Sequence, residues 1–113
     1  MSNPDFDKNE LIPAIVQNVD SGRVLMLAYM NQEAFNLTLE TGNCHFWSRS
    51  RQEIWKKGST SGNLLNVTAM ELDCDSDSIL VFAKPVGPSC HTGKESCFDS
   101  QAIEVKSAGS YRE

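Results

Sequence analysis

The first forty or so residues carry local signals that leave few ways to fold. Leu11 to Gln17 reads as a strand, Asp20-Ser21-Gly22 as a turn, and Val24 to Met30 as the returning strand of a hairpin. Asn31 offers a side-chain acceptor for the free amides of a helix start. Gln32 to Thr41 continues as the helix, and Gly42 ends it where a left-handed residue is favoured. Phe35 and Leu39 stand four apart and are expected to stack on the inner face of that helix. Pro13, near the start of the first strand, suggests a sheet edge.

Beyond the helix the pattern turns to strands. Cys44 to Ser48 and Ile54-Trp55 read as short strands with a turn at Gln52-Glu53. A polar loop from Lys57 to Asn63 follows, then a long strand from Leu64 to Cys74 and its antiparallel partner from Ile79 to Ala83. Residues 90–98 are expected to form a compact segment with one helical turn. Residues 1–10 read as a loose arm and 99–113 as a polar tail. One main helix among these strands predicts an α+β fold with a mixed or antiparallel sheet. A chain of 113 residues without an internal repeat predicts a single domain, 1–113. A domain of this size hides only about two-thirds of its unfolded surface, so a site assembled between two copies is physically natural.

The chemistry concentrates in three places. Asp73-Cys74-Asp75-Ser76-Asp77 sets three carboxylates and a thiol within five residues. Read as strand, it puts Asp73, Asp75 and Asp77 on one face and Cys74 on the other; read as a turn, it is a plain hairpin connection. Carboxylate oxygens suit Mg2+ and a thiolate suits Zn2+. The pattern disfavours an EF-hand, because Ser78 and Lys84 stand where its Gly and Glu belong. Cys90 and Cys97 add two further thiols, with His91 beside the first. The spacing is not that of a zinc ribbon. Three thiols without an obvious fourth ligand fit an open zinc site that activates water, with His91 moving the proton or serving as the fourth ligand. The alternative is that some of these thiols are small buried hydrophobes.

The third place is basic. Arg49, Arg51, Lys56 and Lys57 put four of the ten cations within nine residues of a chain whose net charge is −5. That balance disfavours a general nucleic-acid binder and suits a small anionic ligand. Ser48, Arg49, Ser50 and Arg51, read as an extended segment, and the Lys57–Asn63 loop with Thr60 and Ser61 offer phosphate donors; Trp55 could stack on a base. Four cysteines without a secretory signal predict reduced thiols and a cytoplasmic location, and no apolar run is long enough to span a bilayer.

Together these segments resemble the phosphoribosyl-AMP cyclohydrolase family. The likeness rests on Val24–Asn31, Phe46-Trp47-Ser48-Arg49-Ser50-Arg51, Trp55-x-Lys57-Gly58-x-Thr60-Ser61-Gly62-Asn63, Leu72-Asp73-Cys74-Asp75-x-Asp77 and Gly87-Pro88-x-Cys90-His91-Thr92-Gly93. The resemblance implies a hydrolase of histidine biosynthesis that opens the adenine ring of phosphoribosyl-AMP at N1–C6, the third step of that pathway. It implies an intertwined homodimer. It implies zinc on Cys74, Cys90 and Cys97, drawn from both subunits, and magnesium on Asp73, Asp75 and Asp77. Catalysis would fall to His91, and substrate binding to Ser48, Arg49, Ser50, Arg51, Trp55, Lys57, Thr60, Ser61 and Asn63. The pyrophosphohydrolase domain of the family's bifunctional relatives is expected to be absent here. Cys44 departs from the family pattern and is expected not to be a ligand. Two other readings stand beside this one. A small RNA-binding module would use the interleaved aromatic and basic residues, and a structural zinc module would hold its metal without turnover. A nucleoside deaminase lacks its Pro-Cys-x-x-Cys pattern.

Overall fold

A computed structural model of the protein describes residues 3–99 and 101–106. Six strands and one helix follow in order: β1 Ile12–Asn18, β2 Val24–Met30, α1 Gln32–Thr41, β3 His45–Ser48, β4 Glu53–Lys56, β5 Leu65–Leu72 and β6 Ile79–Pro85. Four strands form one sheet in the order β2-β1-β6-β5, and β3 pairs with β4 in a second sheet. The β1–β2 and β5–β6 pairs are antiparallel while β1 runs parallel to β6, so the α+β fold carries a mixed sheet.

The core follows from alternation along the two central strands. Ile12, Ala14 and Val16 of β1 are fully buried, and so, to within a per cent, are Ile79, Val81 and Ala83 of β6. The ladder sets Ala14 beside Ile79 and Val16 beside Val81, joining the two rows into one apolar face. Helix α1 and strand β3 close over it. Asn31 Oδ1 accepts the Ala34 amide at 2.9 Å, and Gly42, at φ 73°, donates its amide back to the Thr38 carbonyl. Buried Thr38 donates its hydroxyl to the Ala34 carbonyl and accepts the His45 amide, both at 2.9 Å, which fixes the helix on β3. Phe46 completes the core, fully buried with its ring centroid 5.1 Å from that of Trp55.

Several expectations need correction. Pro13 does not mark an edge: β1 lies inside the sheet, and its ladder with β6 begins at Ala14, one residue past the missing N–H. Leu39 is not on the inner face. It is 53% exposed, and Ala34, Phe35 and Thr38 are the buried residues of α1. The arm is not loose. Pro4 is buried, the Asp5 amide donates to Ser76 O at 2.8 Å, and the Phe6 ring sits 5.9 Å from Phe35. Residues 90–98 contain no helical turn. Of the expected tail, Gln101 to Lys106 are exposed without helix or strand, and the remainder past Lys106 lies outside the described residues.

Truncating the central aromatic should be costly. Phe46→Ala is expected to lower the free energy of unfolding by about 3–5 kcal/mol, measured by urea denaturation. A loss below about 1 kcal/mol would mean that Phe46 does not anchor the packing of β3 and β4 on the core.

Candidate active site

The Asp73–Asp77 stretch is a turn, not a continuation of β5. Asp73 Oδ1 accepts the backbone amides of Asp77 at 2.9 Å and Ser78 at 3.1 Å, folding the chain back toward β6. That capture is why the strand expected to reach Cys74 ends at Leu72. Strand alternation therefore does not set the carboxylates on one face; the turn does. Oxygens of Asp73, Asp75 and Asp77 lie within 4.8 Å of one another, the only such group of three or more ligand-bearing side chains among the described residues. Oxygen donors so grouped fit a hard divalent cation.

The three carboxylates share protons unevenly. Partial removal from water disfavours charge on Asp73. Hydrogen bonds from Asp77 and from the Asp77 and Ser78 amides outweigh that and hold its carboxyl below the usual range. Asp77 is pushed up to about 6, first by its hydrogen bonds with Asp73 and Asp75 and further by their charge.

The thiols divide between opposite edges of the main sheet. Cys74 follows β5, one edge strand, and lines an open groove of about 940 Å³. The groove runs between α1 and β5, with Phe35, Leu39, Met70 and Leu72 along it, so Leu39 belongs to this groove rather than to the core. Cys97 lies against β2, the other edge, with its amide on Leu25 O at 2.7 Å. Ser96 Oγ donates to Val24 O at 2.6 Å, and Arg23 reaches the Phe98 carbonyl at 2.8 Å and the Asp99 carboxylate at 3.3 Å. Three strand spacings amount to roughly 14 Å. One chain brings Cys90 and Cys97 together and leaves Cys74 apart.

Cys90 sits in a loop closed by Ser89 N–H to Glu95 O and Cys90 N–H to Lys94 O, each 3.1 Å. The Thr92 hydroxyl donates to Cys90 Sγ at 3.0 Å and holds that thiol below the usual thiol range, with Cys97 and the Lys57 charge contributing. Burial pushes the Cys97 thiol up, and its neighbour Cys90 adds to the rise. Thiol sulfurs of this kind suit zinc. His91 is exposed beside Cys90. Cys44 differs: it is fully buried in the core, and desolvation pushes its thiol up to about 12.

The basic segment is not extended as expected. β3 ends at Ser48, and the chain turns through residues 49–52, with the Gln52 amide on Ser48 O at 2.8 Å and the Arg51 amide on Ser48 Oγ at 3.2 Å. Arg49 lies 4.1 Å over the ring of Tyr29, a residue the sequence reading passed over. Arg51 stands 3.7 Å from Glu53 in an exposed pair. Trp55, Lys57, Thr60 and Ser61 line a neighbouring cleft of about 470 Å³ together with Arg51. Lys57 and Asn63 also hold partners on the other side: the Lys57 ammonium donates to the Ser89 carbonyl, and the Asn63 side chain lies on Gly87. Thr92 stood in the quoted motif without a role, although a hydroxyl two residues from a cysteine is a local signal.

A sequence profile described as phosphoribosyl-AMP cyclohydrolase matches residues 26–99. A phosphoribosyl-AMP cyclohydrolase of Clostridium botulinum is 57% identical over 100 residues, covering 88% of this chain and 91% of that one. One from Lactiplantibacillus plantarum is 54% identical over 96 residues, 84% of this chain and 89% of its own. A histidine biosynthesis bifunctional protein of Lactococcus lactis is 54% identical over 100 residues; the chain spans about half of it, 47%.

The shared proton makes cation binding at the aspartates pH-dependent. A divalent ion must displace it, so Mg2+ affinity should fall as pH drops through about 6, where Asp77 titrates. Calorimetric titrations in buffers of different ionisation enthalpy should show proton release below that pH. Asp77→Asn should flatten the dependence. Equal Mg2+ affinity on both sides of the transition would contradict this reading.

Proposed function

This chain belongs to the phosphoribosyl-AMP cyclohydrolase family, and we propose that it hydrolyses the N1–C6 bond of the adenine ring of phosphoribosyl-AMP, the third step of histidine biosynthesis. The observation that carries this reading is the profile match, which spans the basic turn, the 57–63 loop, the carboxylate turn and the thiol loop in a single alignment. A cytoplasmic location accords with it. No helix among the described residues is long and apolar enough to cross a membrane.

The reaction adds one water across a carbon–nitrogen bond: oxygen goes to C6, N1 departs from C6, and a proton ends on N1. Ribosylation at N1 leaves the ring cationic or strongly polarised, so C6 is already electrophilic. Cys74, Cys90 and Cys97 would hold zinc, and Asp73, Asp75 and Asp77 would hold magnesium. When bound, zinc supplies Lewis acidity of the kind that brings the pKa of water from about 15.7 to about 7. His91, exposed at the mouth of the thiol loop, carries the proton from the water toward the ring nitrogen. Ser48, Ser50, Thr60 and Ser61 supply hydroxyls, and Arg49 and Arg51 guanidinium groups, to the two phosphates. Tyr29 steadies Arg49 from below. Arg51 is only loosely held by Glu53, since an exposed pair of this length is weak, and can turn to a phosphate. Trp55 offers a ring face beside the cleft.

The active unit in this reading is a homodimer. Thiols at opposite edges of one sheet support a site in which Cys74 of one copy joins Cys90 and Cys97 of its partner. The groove that contains Cys74 is open, with Phe35, Leu39, Met70 and Leu72 alternating with polar groups, a mixed lining that a second copy could cover.

Two experiments test these roles. Cys74→Ser and Cys90→Ser proteins, each inactive alone, are mixed and allowed to exchange subunits. One intact site per mixed dimer should restore about a quarter of wild-type activity at random reassortment. No recovery in confirmed mixed dimers would exclude shared sites. For His91→Ala, zinc content measured by atomic absorption should be retained while kcat falls by about 10²–10⁴. Loss of the metal instead would make His91 a ligand.

A further inference from the structure

The 57–63 loop and the thiol loop are fastened to each other at two points. Lys57 leaves the end of β4, and its ammonium donates to the carbonyl of Ser89, 32 residues further along the chain. Ser89 is buried, so its carbonyl depends on a protein donor. Beside this contact, the Asn63 side chain fills the space over Gly87. A Cβ on Gly87 would stand 2.5 Å from Asn63 Oδ1, and that residue also has φ 90°. The Val86 amide adds a backbone bond to Leu64 O at 2.8 Å.

The two ends of the thiol loop are therefore held by different parts of the fold. The Cys97 end is pinned to β2 through its own amide and through Ser96. Past the Val86 and Gly87 contacts, the Cys90 end has the short turn that closes on Lys94 and Glu95, and the Lys57 contact immediately before it. We infer that Lys57 is a positioning residue that ties the Cys90 end of the thiol loop to the 57–63 loop, rather than a ligand of the substrate's phosphate. This rests on the proposal that Cys90 and Cys97 are metal thiols. The ammonium is spent on Ser89, and the phosphates are left to the arginines, the hydroxyls and the backbone amides of the 57–63 loop.

The test compares Lys57→Met, which keeps length and removes the donor, with Lys57→Arg, which keeps a donor. Hydrogen exchange of the 86–97 peptide in the metal-free protein reads the tether itself. Lys57→Met should exchange there at least tenfold faster and Lys57→Arg nearly as wild type. Kinetics with phosphoribosyl-AMP and zinc competition against a chelating dye read the consequence. Lys57→Met should bind zinc at least tenfold more weakly and lose kcat, with KM within about threefold of wild type, and Lys57→Arg should recover most of both. A tenfold rise in KM with zinc affinity and exchange unchanged would overturn the inference and return Lys57 to phosphate binding. If Lys57→Met does not fold, Lys57→Gln draws the side chain out of reach of the Ser89 carbonyl. It should speed exchange in the same peptide and weaken zinc binding, and wild-type exchange there would equally overturn the proposal. Failure of the wild-type protein to bind zinc through Cys90 would sink the proposed metal site instead, while the exchange result would still decide the role of Lys57.

Discussion

The parallel ladder between β1 and β6 is the joint that the rest of the molecule depends on. It joins an N-terminal hairpin to a C-terminal one, and each hairpin alone has too little apolar surface to stand in water. Each central strand contributes a fully buried alternating row, and the two rows meet in register. The same joint fixes which strands are left outside. With β1 and β6 in the middle, β2 and β5 must be the edges, and the thiols that follow or flank those edges are held apart. That separation is what the proposed two-copy site would bridge.

Much of this architecture could be read from residues close together in sequence. The helix bounds matched because both caps are local: the Asn31 side chain reaches only to Ala34, and Gly42 reaches back only to Thr38. The first hairpin was equally local. Pro13 misled because its strand borders β6, more than sixty residues away, and nothing near Pro13 announces that partner. The β5 end and the basic turn misled for another reason. Side-chain acceptors at Asp73 and Ser48 capture backbone amides and bend the chain where composition alone allows it to run straight.

The candidate site was legible by residue type more than by geometry. The aspartates meet through a turn that the sequence left open beside the strand alternative. Cys90 and Cys97 meet, but the distance of Cys74 within one chain follows from strand order, which no motif encodes. Lys57 shows the limit most plainly. Its place among other cations suggested phosphate, yet its ammonium is directed at a buried carbonyl on another loop. Tyr29, which lies under Arg49, is silent in the sequence because a tyrosine in an apolar strand reads simply as packing.

Cys44 carries a practical corollary. Its sulfur lies in the core with its proton firmly held, whereas the remaining three cysteines reach the surface to differing degrees. A reagent that seeks thiolates thus has three addresses on the folded, metal-free chain and gains a fourth only when the interior opens. The protein carries its own gauge of unfolding, read by counting labelled sulfurs.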